Sequence, residues 1–86
     1  MRLDKFLKVS RILKRRTVAN EACQGGKVTV NGKSAKPGAQ IKEGDTVSVG
    51  FAYGKLVFIV LDTRENVKKD DAATMYKIIE SDTKND

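Results

Sequence analysis

The sequence predicts a single α+β domain, with helices over residues 1–26, strands over 27–62 and a short C-terminal helix. Three observations carry this reading. Apolar residues recur at helical spacing in the head, alternate with polar ones around turn dipeptides in the centre, and return to helical spacing in the tail. A chain of 86 residues supports one small core and leaves no room for a second.

In the head, Leu3, Phe6, Leu7, Ser10 and Leu13 share one helical face, while Lys5, Lys8, Arg11 and Arg15 fall on the opposite arc. Asp4 sits in the first turn, where peptide dipoles favour a carboxylate. A break is expected within residues 10–16. Thr17 then serves as the N-cap of a second helix with Ala19, Ala22 and Cys23 as its apolar stripe. Gly25-Gly26 closes that helix, because glycine accepts left-handed backbone.

Val28-Thr29-Val30-Asn31-Gly32 opens a hairpin, since Asn-Gly tolerates positive φ at both central turn positions. Pro37-Gly38, Gly44-Asp45 and Tyr53-Gly54 mark further turns. Residues 46–51 alternate as a strand, and the apolar run at 56–61 reads as a buried one. In the tail, Ala72, Met75, Tyr76 and Ile79 form one face of a helix over 70–80 that docks on the sheet, and residues 81–86 are expected to fray. The domain therefore spans 1–80.

The 17 Lys and Arg against 11 Asp and Glu are unevenly spread: residues 1–16 carry +6, residues 17–61 +2 and residues 62–86 −2. A basic head points to a polyanion. The run Lys14-Arg15-Arg16 places adjacent cations just ahead of a helix, within reach of several phosphates.

Other chemistries lack their parts. There is no histidine, and the single cysteine, Cys23, lies on a small-residue helical stripe suited to packing. Neither a metal site, a disulfide, a cofactor loop nor an enzyme is expected. The apolar run at 56–61 is too short to span a bilayer and the N-terminus lacks a secretory pattern, so a cytoplasmic location is expected. The head's apolar stripe is needed for the core and holds no tryptophan, which argues against a membrane partner. The five aromatic residues do not interleave with the cations, so shape and phosphate recognition of structured RNA is favoured over base stacking.

Arg2-Leu3-Asp4-Lys5, Arg16-x-x-Ala19, Gly26-x-Val28-x-Val30-Asn31-Gly32, Lys36-Pro37 and Gly44-Asp45 together resemble, over residues 1–50, the RNA-binding domain named for the fourth protein of the small ribosomal subunit. The resemblance implies two helices packed on a small, mainly antiparallel twisted sheet, with a concave face for structured RNA. Lys8-Val9-Ser10-Arg11, the run Lys14-Arg15-Arg16-Thr17-Val18-Ala19 and the closing Ala72-Ala73-x-Met75-Tyr76 resemble the RqcP type of this family, relatives of the fifteen-kilodalton heat-shock protein. Members of that type bind obstructed large ribosomal subunits carrying peptidyl-tRNA and contact rRNA and tRNA. With the tRNA-recruiting factor RqcH, they support alanine tailing of stalled chains.

By position, the resemblance makes Arg2 and Arg16 RNA-facing arginines, bordered by Lys5, Arg11 and Arg15, with Asn31 and Lys33 on the hairpin flanking the groove. Asp4 fits either that surface or a helix-start or salt-bridge role, and turn geometry alone accounts for Asn31-Gly32. Many family members have a capping serine where Arg15 stands here, and the long basic extension of the heat-shock relatives is absent. The expected partners are large-subunit rRNA, peptidyl-tRNA and RqcH, with the protein acting as a monomer. The alternatives are a large-subunit recycling factor without a tailing role and a general RNA-binding module.

Overall fold

The structure, a computed structural model, describes residues 1–52 and 54–83. Two helices, α1 (Leu3–Val9) and α2 (Arg16–Gln24), precede strands β1 (Val28–Val30), β2 (Lys33–Ser34), β3 (Thr46–Phe51) and β4 (Gly54–Val60). A 3-10 helix (Lys69–Met75) then leads into β5 (Tyr76–Thr83). The strands form one antiparallel sheet in the order β2-β1-β3-β4-β5. The α+β class with two N-terminal helices is the expected one.

α1 buries Leu3, Phe6 and Leu7 completely, the face its periodicity assigned. It stops where predicted. The buried Ser10 hydroxyl donates to the Leu7 carbonyl at 3.4 Å, and Arg11 adopts φ 63°. The backbone N–H groups of Arg11 and Leu13 donate to the carbonyls of Lys8 and Leu7, so the left-handed residue satisfies the helix end while turning the chain toward α2.

The start of α2 differs from expectation. Arg15, not Thr17, is the N-cap, with extended backbone (φ −130°, ψ 141°) and no side-chain cap bond. The Arg15 carbonyl already accepts from Ala19, so Thr17 is inside the first turn with helical backbone and cannot cap. At the other end Gly26 takes φ 74°. Ala19 and Cys23 are buried, and burial, together with the Asp4 charge, pushes the Cys23 thiol up to about 11. That keeps it protonated and inert at neutral pH.

The Asn-Gly hairpin forms, with Asn31 at φ 52° and Gly32 at φ 85° joining Val30 to its partner Lys33. The run at 56–61 is not wholly buried. Phe58 and Val60 are inaccessible, whereas Leu61 is 47% exposed, because the core lies on one face of the sheet and alternate side chains point away from it. Of the Tyr53-Gly54 turn, Tyr53 lies outside the described residues.

The tail departs most from the sequence reading. Ala72 and Met75 are buried as anticipated, but they lie on a 3-10 helix, and Tyr76 begins a strand instead of continuing a helix to residue 80. β5 pairs with β4 from Val60↔Tyr76 to Gly54↔Thr83, so residues 81–83 belong to the sheet and do not fray. Residues 84–86 lie outside the described residues. The reason is non-local: without β5, the backbone groups along the outer edge of β4 would have no partner in the sheet.

Phe58 is the hub of the core. Its ring stacks on Phe6 (centroids 6.0 Å apart, planes 17° apart) and meets the edge of Tyr76 at 5.5 Å, joining α1, β4 and β5. Among the described residues no helix is long and apolar enough to cross a membrane.

Arg11 carries a side chain in a backbone region that disfavours one. Arg11→Gly should leave the fold unchanged and raise the free energy of unfolding by up to about 1 kcal/mol, measured by urea titration.

Candidate nucleic-acid interface

The N-terminal residues are laid along the segment that follows the hairpin. Leu3 N–H donates to the Ala39 carbonyl at 2.8 Å, Asp4 N–H to the Pro37 carbonyl at 3.1 Å, and Ile41 N–H to the Met1 carbonyl at 2.9 Å. This pinning sets Arg2 beside Gly38 and turns Asp4 inward, where it is 2% exposed.

The Asp4 carboxylate organises the face. Its Oδ1 accepts from Arg2 Nε at 3.2 Å and from Lys5 N–H at 2.8 Å. Its Oδ2 accepts from an Arg2 terminal nitrogen at 3.2 Å and from Asn20 Nδ2 at 3.4 Å, with Arg16 Nε at 3.5 Å. Burial by itself would raise the Asp4 pKa. The hydrogen bonds from Arg2 and Asn20, the Arg16 charge and the Lys5 N–H outweigh it and hold the carboxyl below the usual range. Both arginine side chains stay 48% exposed; Arg2 is gripped along one edge by two hydrogen bonds and Arg16 is held through Nε alone, so N–H groups of both remain available to solvent.

Beside this cluster runs a groove of about 750 Å³ between α2 and the hairpin and post-hairpin segment, with Arg2, Asn20, Gln24, Lys33, Ser34 and Lys36 among its lining. A smaller recess lined by Asp4, Arg16, Thr17, Asn20 and Glu21 adjoins it. Cationic forks and ammonium groups around a concave, open surface suit a phosphate backbone.

Of the residues singled out in the sequence, Arg2, Asp4, Arg16 and Lys33 come together here. The others do not. Lys14 and Arg15 line a separate hollow with Val18 and Phe51, and Arg11 lines another with Lys8 and Lys68. Lys5 Nζ donates to Glu65 Oε1 at 3.0 Å, a bond that lowers the Glu65 pKa. The Asn31 amide is committed to the fold. It donates to Asp45 Oδ1 at 3.1 Å and accepts from Thr46 N–H at 3.0 Å, tying the hairpin to β3.

Groove residues not anticipated as site residues include Asn20, Gln24 and Lys36. The signal for the first two was the i, i+4, i+8 spacing from Arg16, which places all three on one side of α2. For Lys36 it was proximity to the Pro37-Gly38 turn that backs Arg2.

Because the folded-state pKa of Asp4 is depressed, the stability it contributes is fully present above its unfolded value of 3.8 and is lost as pH falls through and below that value. Asp4→Asn should therefore destabilise the protein by about 1–2 kcal/mol at pH 7, because it weakens the hydrogen bonds from Arg2 and the Lys5 N–H and removes the counter-charge of two half-exposed arginines. Urea titrations at pH 7 and pH 3 should show the difference between variant and wild type shrinking at the lower pH.

Comparison with known proteins gives the family. The model of the S4 domain family matches residues 1–47. The chain is 51% identical over 79 residues to the RQC P-site tRNA stabilizing factor of Streptococcus pneumoniae, covering 92% of this chain and 90% of that protein. It is 47% identical over 78 residues to the factor of the same name from Halalkalibacterium halodurans, covering 91% and 89%. Among solved structures, heat shock protein 15 of Vibrio cholerae superposes with a TM-score of 0.84 at 28% identity, covering 91% of this chain and 80% of that one. By these likenesses the chain belongs to the S4 domain family, in the group of the RQC P-site tRNA stabilizing factors.

Proposed function

We propose that this protein is an RNA-binding factor of ribosome quality control. It docks on large ribosomal subunits obstructed by peptidyl-tRNA, contacts rRNA and tRNA through the Arg2–Asp4–Arg16 face, and steadies the tRNA while RqcH-dependent alanine tails are added to the stalled chain. The observation that carries the reading is the pair of guanidinia held on one buried carboxylate at the mouth of a basic groove. The name borne by the relatives supports the cellular setting.

The mechanism is binding and positioning. A preorganised guanidinium loses little freedom when it meets a phosphate, so the cost of ordering it is met during folding. Two forks at a fixed separation also select the spacing of phosphates on a structured RNA over that on a flexible strand. Lys33 and Lys36 extend the positive surface along the backbone of the same RNA.

The fold likeness to heat shock protein 15 favours a second reading, recycling of obstructed subunits without tailing. Deleting the gene separates the two, because only the first reading predicts loss of alanine tails from stalled chains.

Replacing Arg2 and Arg16 together with alanine should weaken association with peptidyl-tRNA-bearing large subunits by about 10–100-fold, as read by sucrose-gradient cosedimentation. It should also reduce the slope of log affinity against log salt by about 1.5. A double variant that cosediments like wild type would disprove the assigned face.

A further inference from the structure

The polar side chains on α2 form a ladder whose direction is set by charge. An ionised Asp4 can only accept, so Asn20 must turn its Nδ2 toward it, at 3.4 Å. This leaves Asn20 Oδ1 as the acceptor for Gln24 Nε2, at 2.6 Å. Gln24 must then point its Oε1 away from the ladder, and among the described residues that oxygen receives no hydrogen bond.

Gln24 is exposed and lines the groove together with Arg2, Lys33 and Lys36. The three cations can only donate, which suits phosphate oxygens. The Ser34 hydroxyl can turn either way. Gln24 Oε1 is thus a side-chain acceptor on a residue that lines the groove together with these donors. An RNA backbone held by its phosphates presents one hydrogen-bond donor next to them, the ribose 2′-OH, whereas the donors on bases lie further from the phosphate track.

Resting on the RNA-binding reading above, we infer that Gln24 is the residue by which this groove recognises the ribose 2′-OH, and so distinguishes RNA from a 2′-deoxy backbone. Arg2, Lys33 and Lys36 hold the flanking phosphates, and Asn20 is a positioning residue that passes the polarity of Asp4 to Gln24.

The test uses a synthetic tRNA and the same molecule carrying 2′-fluoro in place of every 2′-OH, a change that keeps the A-form sugar and removes the donor. Binding is measured for the wild-type protein and for Gln24→Met, a side chain of similar length without an acceptor. Wild type should prefer the hydroxyl form by about fivefold, and Gln24→Met should bind both forms equally, at the wild-type affinity for the fluoro form. A preference that survives in the variant, or is absent from wild type, would overturn the role of Gln24 while leaving RNA binding intact. Failure of wild type to bind either form would instead bring down the RNA-binding reading itself. Thermal unfolding followed by circular dichroism confirms that the variant is folded.

Discussion

A single carboxylate, buried among groups that donate to it, holds this molecule's two characteristic features together. Asp4 joins the N-terminal residues, α1 and α2 into one unit, because Arg2, Arg16, Asn20 and the Lys5 N–H all converge on its two oxygens. A lone buried carboxylate would be costly, and two neighbouring surface guanidinia would repel each other. Together they are mutually stabilising, and the arrangement leaves a net positive charge at a defined place. The contacts that stabilise the unit are therefore the same ones that fix where its positive charge lies.

Behind that unit the sheet acts as a platform. Phe58 receives Phe6 from α1 on one side and the edge of Tyr76 from β5 on the other, and Val47, Val49 and Val60 complete a dry layer under the helices. The hairpin is fastened by Asn31 to Asp45 and Thr46, which keeps β2 and its Lys33 at the rim of the groove. Support of this kind fixes the position of the basic surface relative to the sheet.

Elements governed by local signals were legible in the sequence. α1, the break after it, the Asn31-Gly32 hairpin and β3 follow from periodicity and turn chemistry. β5 was not legible, because Ala72, Met75, Tyr76 and Ile79 have helical spacing, while the open edge of β4 that recruits Tyr76 onward is visible only in three dimensions. The site shows the same division. Arg2 and Arg16 were named from a family resemblance, but their common anchor and the part played by Asn20 depend on how α1 and α2 cross. The run Lys14-Arg15-Arg16 reads as one patch, yet it occupies the turn into α2, and neighbouring side chains there go to different hollows. Lys5 is taken up by Glu65, a partner 60 residues away.

The way the tail completes the core has a consequence for the protein's own synthesis. The residues that carry the basic face are translated before Glu65, Met75 and Tyr76, which brace α1 and Phe58 from the other side. A nascent chain whose later residues are still within the exit tunnel holds the partners of Asp4 but lacks the contacts that brace α1 from the other side. Bracing of α1 through Lys5 and Phe6 therefore waits on residues that emerge well after it.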